Sequence, residues 1–158
     1  MNIEVFVCAD CGIVTRVDED GCCGMCGREC RIESIPITPS LYMEGAVATE
    51  SGVEYGNHSR ILHAAMGLCT EAGELMDQLK KHLFYGKELD DVNLIEEAGD
   101  LLWYLAVLFD ELGTSFEEVM QINHDKLAKR YGEKFSSEAA LHRDLEGERD
   151  ILEGKGKT

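Results

Sequence analysis

After Pro39 the chain contains no further proline, and from there on its apolar residues recur at three- and four-residue steps. Proline removes a backbone donor and clashes with the preceding helical turn. A long proline-free stretch with a 3.6-residue period is therefore committed to helices. Before residue 36 the pattern differs: short β-type runs (Ile3, Val5, Val7; Ile13 to Val17; Arg31 to Ile35) are separated by cysteine and glycine clusters. Pro36 and Pro39 punctuate the boundary. The expected fold is all-α: a helical bundle of about four to five helices over residues 38–152, preceded by a small β ribbon over 1–35 and followed by a disordered tail over 153–158.

Individual helices can be placed from caps and periodicity. Thr38 followed by Pro39 predicts an N-cap and first helical residue, with that helix ending near Glu50. A polar stretch, Ser51 to Asn57, separates it from a second helix of about His58 to Phe84. There Ile61, Ala65, Leu68, Ala72, Leu75, Leu79 and Leu83 form one stripe. A loop, Tyr85 to Asp91, leads to a third helix of about Val92 to Leu112. Its main stripe is Leu94, Ala98, Leu101, Leu105, Leu108 and Leu112, with Trp103 and Ala106 pointing roughly the other way. A helix this apolar needs cover on two sides, so the bundle core is expected on one and a second subunit on the other. Thr114 with Glu117 and Ser115 with Glu118 make overlapping capping boxes for a fourth helix to about Tyr131. A weaker helix is expected over Ser137 to Leu152.

The two long helices share a tetrapeptide. Glu71-Ala72-Gly73-Glu74 lies midway along one, and Glu97-Ala98-Gly99-Asp100 lies early in the other. Acids three residues apart lie on one side of a helix. Glu71 and Glu97 border their apolar stripes, so antiparallel packing along those stripes brings the four carboxylates together. Clustered anions resist burial and raise one another's pKa unless a cation compensates them. Mg²⁺ prefers such oxygen ligands and keeps positions for water and substrate phosphates. The glycine in each tetrapeptide costs roughly 1 kcal/mol relative to alanine, and close approach of a neighbouring backbone is the expected reason.

On the fourth helix Asn123, Lys126 and Arg130 fall at i, i+3 and i+7, in the same sector as Val119 and Ile122. Cations on an inward stripe need anionic partners, such as the carboxylates or a bound polyphosphate. Arginine suits bidentate phosphate contact, and lysine acts as a point charge.

The segments EAGEL, EEAGDLLWYLA and NHDKLAKRYGEKFS resemble the MazG-like family of all-α nucleoside triphosphate pyrophosphohydrolases, whose signature is E-x-x-E followed after a loop by E-x-x-D. The similarity runs from about Leu62 to Arg143. It implies that Glu71, Glu74, Glu97 and Asp100 bind Mg²⁺ and act in catalysis, and that Asn123, Lys126 and Arg130 contact the nucleotide substrate. It implies cleavage between the α and β phosphates, giving a monophosphate and pyrophosphate, in a homodimer or homotetramer. A hydrolase of an alarmone or modified nucleotide is the alternative within the same chemistry. The amino-terminal cysteine ribbon departs from the simplest members of that family.

Six of the chain's 7 cysteines lie in the first 30 residues. Cys8-Ala9-Asp10-Cys11-Gly12 and Cys23-Gly24-Met25-Cys26-Gly27 are two C-x-x-C-G turns, and two such turns complete a tetrahedral structural Zn²⁺ site. Cys22 or Cys30 could replace one ligand, while Cys69 reads as a small core residue of the second helix. The ribbon holds seven acids (Glu4, Asp10, Asp18, Glu19, Asp20, Glu29, Glu33) against three arginines (Arg16, Arg28, Arg31), which favours a protein partner or an oligomer brace over nucleic acid.

Charge and hydropathy exclude several other classes. A net charge of -16, from 31 acidic and 15 basic residues, repels a nucleic-acid backbone. The longest uncharged apolar run, Leu101 to Phe109, is too short to cross a bilayer. The opening MNIEVFVCADCG has no cationic stretch before an apolar block, so a cytoplasmic location is expected. A di-iron carboxylate bundle requires Glu-x-x-His pairs, and the chain has none. A non-catalytic adaptor, with the ribbon docking a partner and the helices only dimerising, has no use for an inward Asn123–Lys126–Arg130 row. His63 lies roughly on the Glu74 side of its helix and His82 on the Glu71 side, within reach of a base or metal.

Overall fold

The computed structural model describes residues 2–14, 17, 19–52, 56 and 59–154. It is mostly helical, with an amino-terminal hairpin that carries four clustered cysteines. The expected strand end at Thr15 and Arg16, part of the Ser51–Asn57 stretch, the helix start at His58 and the last four tail residues lie outside the described residues. The chain forms two compact units, Met1–Gly113 and Thr114–Thr158.

In the first unit β1 (Asn2–Cys8), β2 (Gly12–Val14) and β3 (Cys30–Pro36) form an antiparallel sheet in the order β2-β1-β3. The register sets Cys8 opposite both Gly12 and Cys30, so the first cysteine lies at the turn end of both pairings. Helix α1 (Pro39–Ala48) starts as the cap predicts: Thr38 Oγ1 accepts from the Leu41 N–H at 3.2 Å and proline opens the helix. Helix α2 (Ser59–Tyr85) and helix α3 (Asp91–Glu111) follow, joined by a short loop that Asp90 ends as the α3 N-cap.

α2 and α3 run antiparallel. Gly67 meets Tyr104 at one level, and Glu71 meets Glu97 and Asp100 further along. A methyl carbon at Gly67 would lie 2.1 Å from Tyr104 Cε1, so the close approach that glycine permits occurs here. Around Gly73 and Gly99 such a carbon would meet nothing within 4 Å, which corrects the expectation that these two glycines admit a neighbouring backbone.

α3 packs against α1 as well as α2, so part of the cover expected from a second subunit comes from within the chain. The Trp103 indole N–H donates to Thr49 Oγ1 at 2.8 Å, and the Tyr42 hydroxyl donates to the Gly99 carbonyl at 3.3 Å. Arg60 closes the far end through carboxylates of Glu50, Asp110 and Glu111. The buried sector of α3 is rotated from the expected stripe: Ala106, Val107 and Phe109 are covered while Leu112 is exposed. The second partner, α1, decides this, because it covers a sector that a two-helix reading leaves open. Cys69 is also exposed rather than in the core.

The second unit holds α4 (Phe116–Tyr131), α5 (Ser137–Leu141) and α6 (Leu145–Leu152). Ser115 caps α4 by accepting from the Glu118 N–H at 3.2 Å. The single helix expected over Ser137–Leu152 is two helices. The chain leaves helical geometry at His142, and Asp144 caps α6 through the Gly147 N–H at 3.0 Å. An aspartate placed to cap competes with continuation of the preceding helix.

Candidate active site

Three carboxylates converge between α2 and α3. Oxygens of Glu71, Glu97 and Asp100 all lie within 4.8 Å of one another. The E-x-x-D spacing puts Glu97 and Asp100 on one side of α3, and the antiparallel partner brings Glu71 to the same level. Glu74, one turn beyond Glu71, is exposed and stands outside this group of three. Its charge still reaches Glu97.

Glu97 is the buried member, at 5% exposure. Burial pushes its carboxyl above the ordinary range, a hydrogen bond from Asn93 opposes this, and the charges of Glu74, Glu71 and Glu96 push it up further. Desolvated anions beside other anions need a cation, and a cluster of oxygen donors within 4.8 Å fits a hard divalent ion.

Asn93 was not singled out by the sequence reading. Its Nδ2 donates to Glu97 Oε1 at 2.9 Å and to Glu96 Oε2 at 3.2 Å. Two carboxylate acceptors define which end of the amide is nitrogen, and the other end, Oδ1, is buried without a protein partner. A buried acceptor in that state fits a water or cation at its side. The sequence signal was its position one turn before Glu97.

The two histidines have ordinary partners. His63 is exposed and makes edge contacts with Tyr104 and Trp103, with ring centroids 5.5 and 6.1 Å apart. His82 Nδ1 lies 2.9 Å from the Lys87 carbonyl oxygen.

In the ribbon, the sulfurs of Cys8, Cys11, Cys23 and Cys26 lie within 4.8 Å of one another. Gly12 and Gly27 follow the two turns with φ of 81° and 70°, the left-handed bend that glycine adopts without strain. Backbone N–H groups of Cys11 and Asp10 lower the Cys8 thiol to about 7, whereas the crowded thiols of Cys26 and Cys23 push Cys11 up to about 12. Four thiols competing for one space suit a tetrahedral S₄ site for structural zinc. Cys22 and Cys30 fall outside the four, and Cys30 Sγ lies 3.8 Å from the Arg28 carbonyl oxygen.

In the second unit, Asn123, Lys126 and Arg130 share one side of α4. Asn123 is exposed, and the other two are half-buried. Arg130 donates from Nε and Nη2 to Glu148 Oε1 and Oε2 at 2.8 and 2.6 Å. Glu148, 3% exposed on α6, is an anionic partner that the sequence reading did not identify. Lys126 has no ion-pair partner among the described residues.

No helix of the described residues is long and apolar enough to cross a membrane. Residues 60–135, which span α2, α3 and α4, match the MazG nucleotide pyrophosphohydrolase domain. Among curated proteins, Uncharacterized protein YvdC of Bacillus subtilis (strain 168) is 34% identical over 88 residues, covering 49% of this chain and 78% of that protein. Gene 37 protein of Mycobacterium phage L5 is 36% identical over 75 residues, covering 43% of this chain and 63% of that one. No solved structure matches. The ribbon, α1, α5 and α6 lie outside the matched residues. With paired acids on adjacent helices and a matching domain over the helices that carry them, the chain belongs to the MazG nucleotide pyrophosphohydrolase family.

Proposed function

We propose that the protein hydrolyses a nucleoside triphosphate, ribo- or deoxyribo-, to the monophosphate and pyrophosphate in a Mg²⁺-dependent reaction. The observation that carries this reading is the convergence of Glu71, Glu97 and Asp100, with Glu97 buried among like charges, on helices that match the family domain. These three carboxylates are the metal-holding groups. Bound Mg²⁺ supplies charge neutralisation at the phosphates and a lowered pKa for an attacking water. Glu74, outside the group of three and exposed, completes the acid set as the base that accepts the water's proton. Asn93 orients Glu97 through the 2.9 Å hydrogen bond. Asn123, Lys126 and Arg130 contact the nucleotide.

Cys8, Cys11, Cys23 and Cys26 hold a structural zinc ion, and the ribbon acts as a brace or a protein-docking element. Exposed apolar side chains on α2 and α3, including Met66, Met76, Val92, Ile95 and Leu102, support a homodimer or homotetramer. The protein acts in the cytoplasm.

Pyrophosphate release from a panel of canonical and modified triphosphates and alarmones, with and without Mg²⁺, tests the reading and names the substrate. Glu71→Gln and Asp100→Asn are expected to abolish release with helical circular dichroism retained. Full turnover in both variants removes the metal-site assignment.

A further inference from the structure

Arg143 and Arg130 converge on one buried carboxylate. Arg143 donates from Nη2 to Glu148 Oε2 at 2.6 Å and from Nε to Oε1 at 3.4 Å, using the same edge of its guanidinium that Arg130 uses. Glu148 therefore accepts both guanidiniums side by side. Two positive charges on one negative charge leave a surplus cation, in a chain whose net charge is -16. The side chain of Arg143 is 43% exposed, against 15% for Arg130 and 4% for Glu148.

The local fold is what makes this pairing possible. Residues five apart on a continuous helix lie on different faces and do not meet; only i+3 and i+4 neighbours do. Arg143 reaches Glu148 because the helix breaks at His142 and restarts at the Asp144 cap. The restart is tight: Lys129 Nζ pairs with Asp144 at 3.4 Å, and a methyl carbon at Gly147 would lie 2.3 Å from Asp144 Oδ2 and 3.0 Å from Lys129 Cε. A buried ion cluster is a poor source of stability compared with apolar packing. A single arginine would neutralise Glu148, and the second adds a further positive charge to the pair.

We propose that Arg143 is a further phosphate-binding residue and that Glu148 is the positioning residue that holds Arg130 and Arg143 as a paired-arginine fork for the substrate's polyphosphate. Glu148 takes the Nε–Nη2 edge of each guanidinium. The Nη1 groups lie outside that bond and donate to phosphate oxygens, and the fork geometry favours an oxyanion over a point contact. The inference rests on the reading that α4 contacts the nucleotide. It extends the site to residues beyond the matched 60–135.

The test is binding of inorganic tripolyphosphate to the full chain in Mg²⁺ by titration calorimetry, alongside KM and kcat for a cleaved triphosphate. Arg143→Ala is expected to weaken tripolyphosphate binding and raise KM by about tenfold or more, with kcat within about twofold. Arg143→Lys restores part of the affinity, because it returns the charge without the fork. Glu148→Gln shows the same loss of affinity and a lower Tm. Wild-type affinity and KM in Arg143→Ala, or a wild-type protein that does not bind tripolyphosphate, overturn the proposal. Arg130→Ala separates the two levels. If it leaves KM unchanged, the reading of α4 fails; if it raises KM while Arg143→Ala does not, only the paired fork fails.

Discussion

The Tyr104 ring occupies the space where a side chain at Gly67 would begin, 2.1 Å from Cε1 to a methyl carbon built there. This contact sets how closely α2 and α3 approach, one turn from Glu71 and one turn from Asp100. Gly67→Ala is expected to destabilise the protein by about 1 to 3 kcal/mol through overpacking, against a helix-propensity gain of roughly 1 kcal/mol. Thermal unfolding should show a lower Tm with helical content retained. An unchanged or raised Tm means the two helices separate without cost.

Gly73→Ala and Gly99→Ala have the opposite sign. Nothing lies within 4 Å of the added carbon, so each is expected to raise stability by roughly 0.5 to 1 kcal/mol from backbone entropy. The same two variants report on what approaches the site in use. A loss of pyrophosphate release at raised Tm assigns that open space to the substrate or a second copy.

Glu97 makes metal binding depend on pH. Burial raises its carboxyl, so in the metal-free protein it adds stability below the ordinary carboxylate range, and that stability is lost as pH rises through its raised value. Mg²⁺ binds the ionised form. The Mg²⁺-induced increase in Tm should therefore be larger near neutral pH than near the carboxylate range. Glu97→Gln should flatten that dependence and remove most of the increase. An equal Mg²⁺ response at both pH values in the unmodified protein contradicts the assignment of Glu97 as a ligand.

Acid should loosen the second unit. Arg130, with Arg143, holds the Glu148 carboxyl at about 2, below its ordinary value of 4.5. Its stabilising contribution is present above 4.5 and is lost as pH falls toward 2. Acid titration followed by circular dichroism should show a loss in this window that is shallower in Glu148→Gln.

Zinc and helices should behave independently. The strands pack on one another, and the four sulfurs are brought together by β1 and two turns. Cys23→Ser is expected to reduce zinc from about one ion per chain to near zero. Helical ellipticity should change little. Elemental analysis of protein purified without chelator checks this, and a zinc-free wild-type protein removes the site.

The sequence by itself determined the elements and the residue types at the site. Thr38 with Pro39 and Ser115 with Glu118 act within a few residues, where capping is set locally. The period of α2 marks the helix in the same way, but Ala65, Ala72 and Leu83 of its expected stripe are exposed, and Ala64 and Gly67 are buried instead. The two acid pairs and the two C-x-x-C-G turns were legible for the same reason, because fixed spacing on a helix or turn dictates a common face. Tertiary structure decided which of these groups meet. Three acids lie within 4.8 Å of one another, with Glu74 outside that group but acting on Glu97 through its charge. Asn93 supports Glu97, and a helix break that no periodicity signals delivers Arg143 to Glu148. Those outcomes depend on the depth and rotation at which one helix packs on another, and single-element patterns carry no information about either.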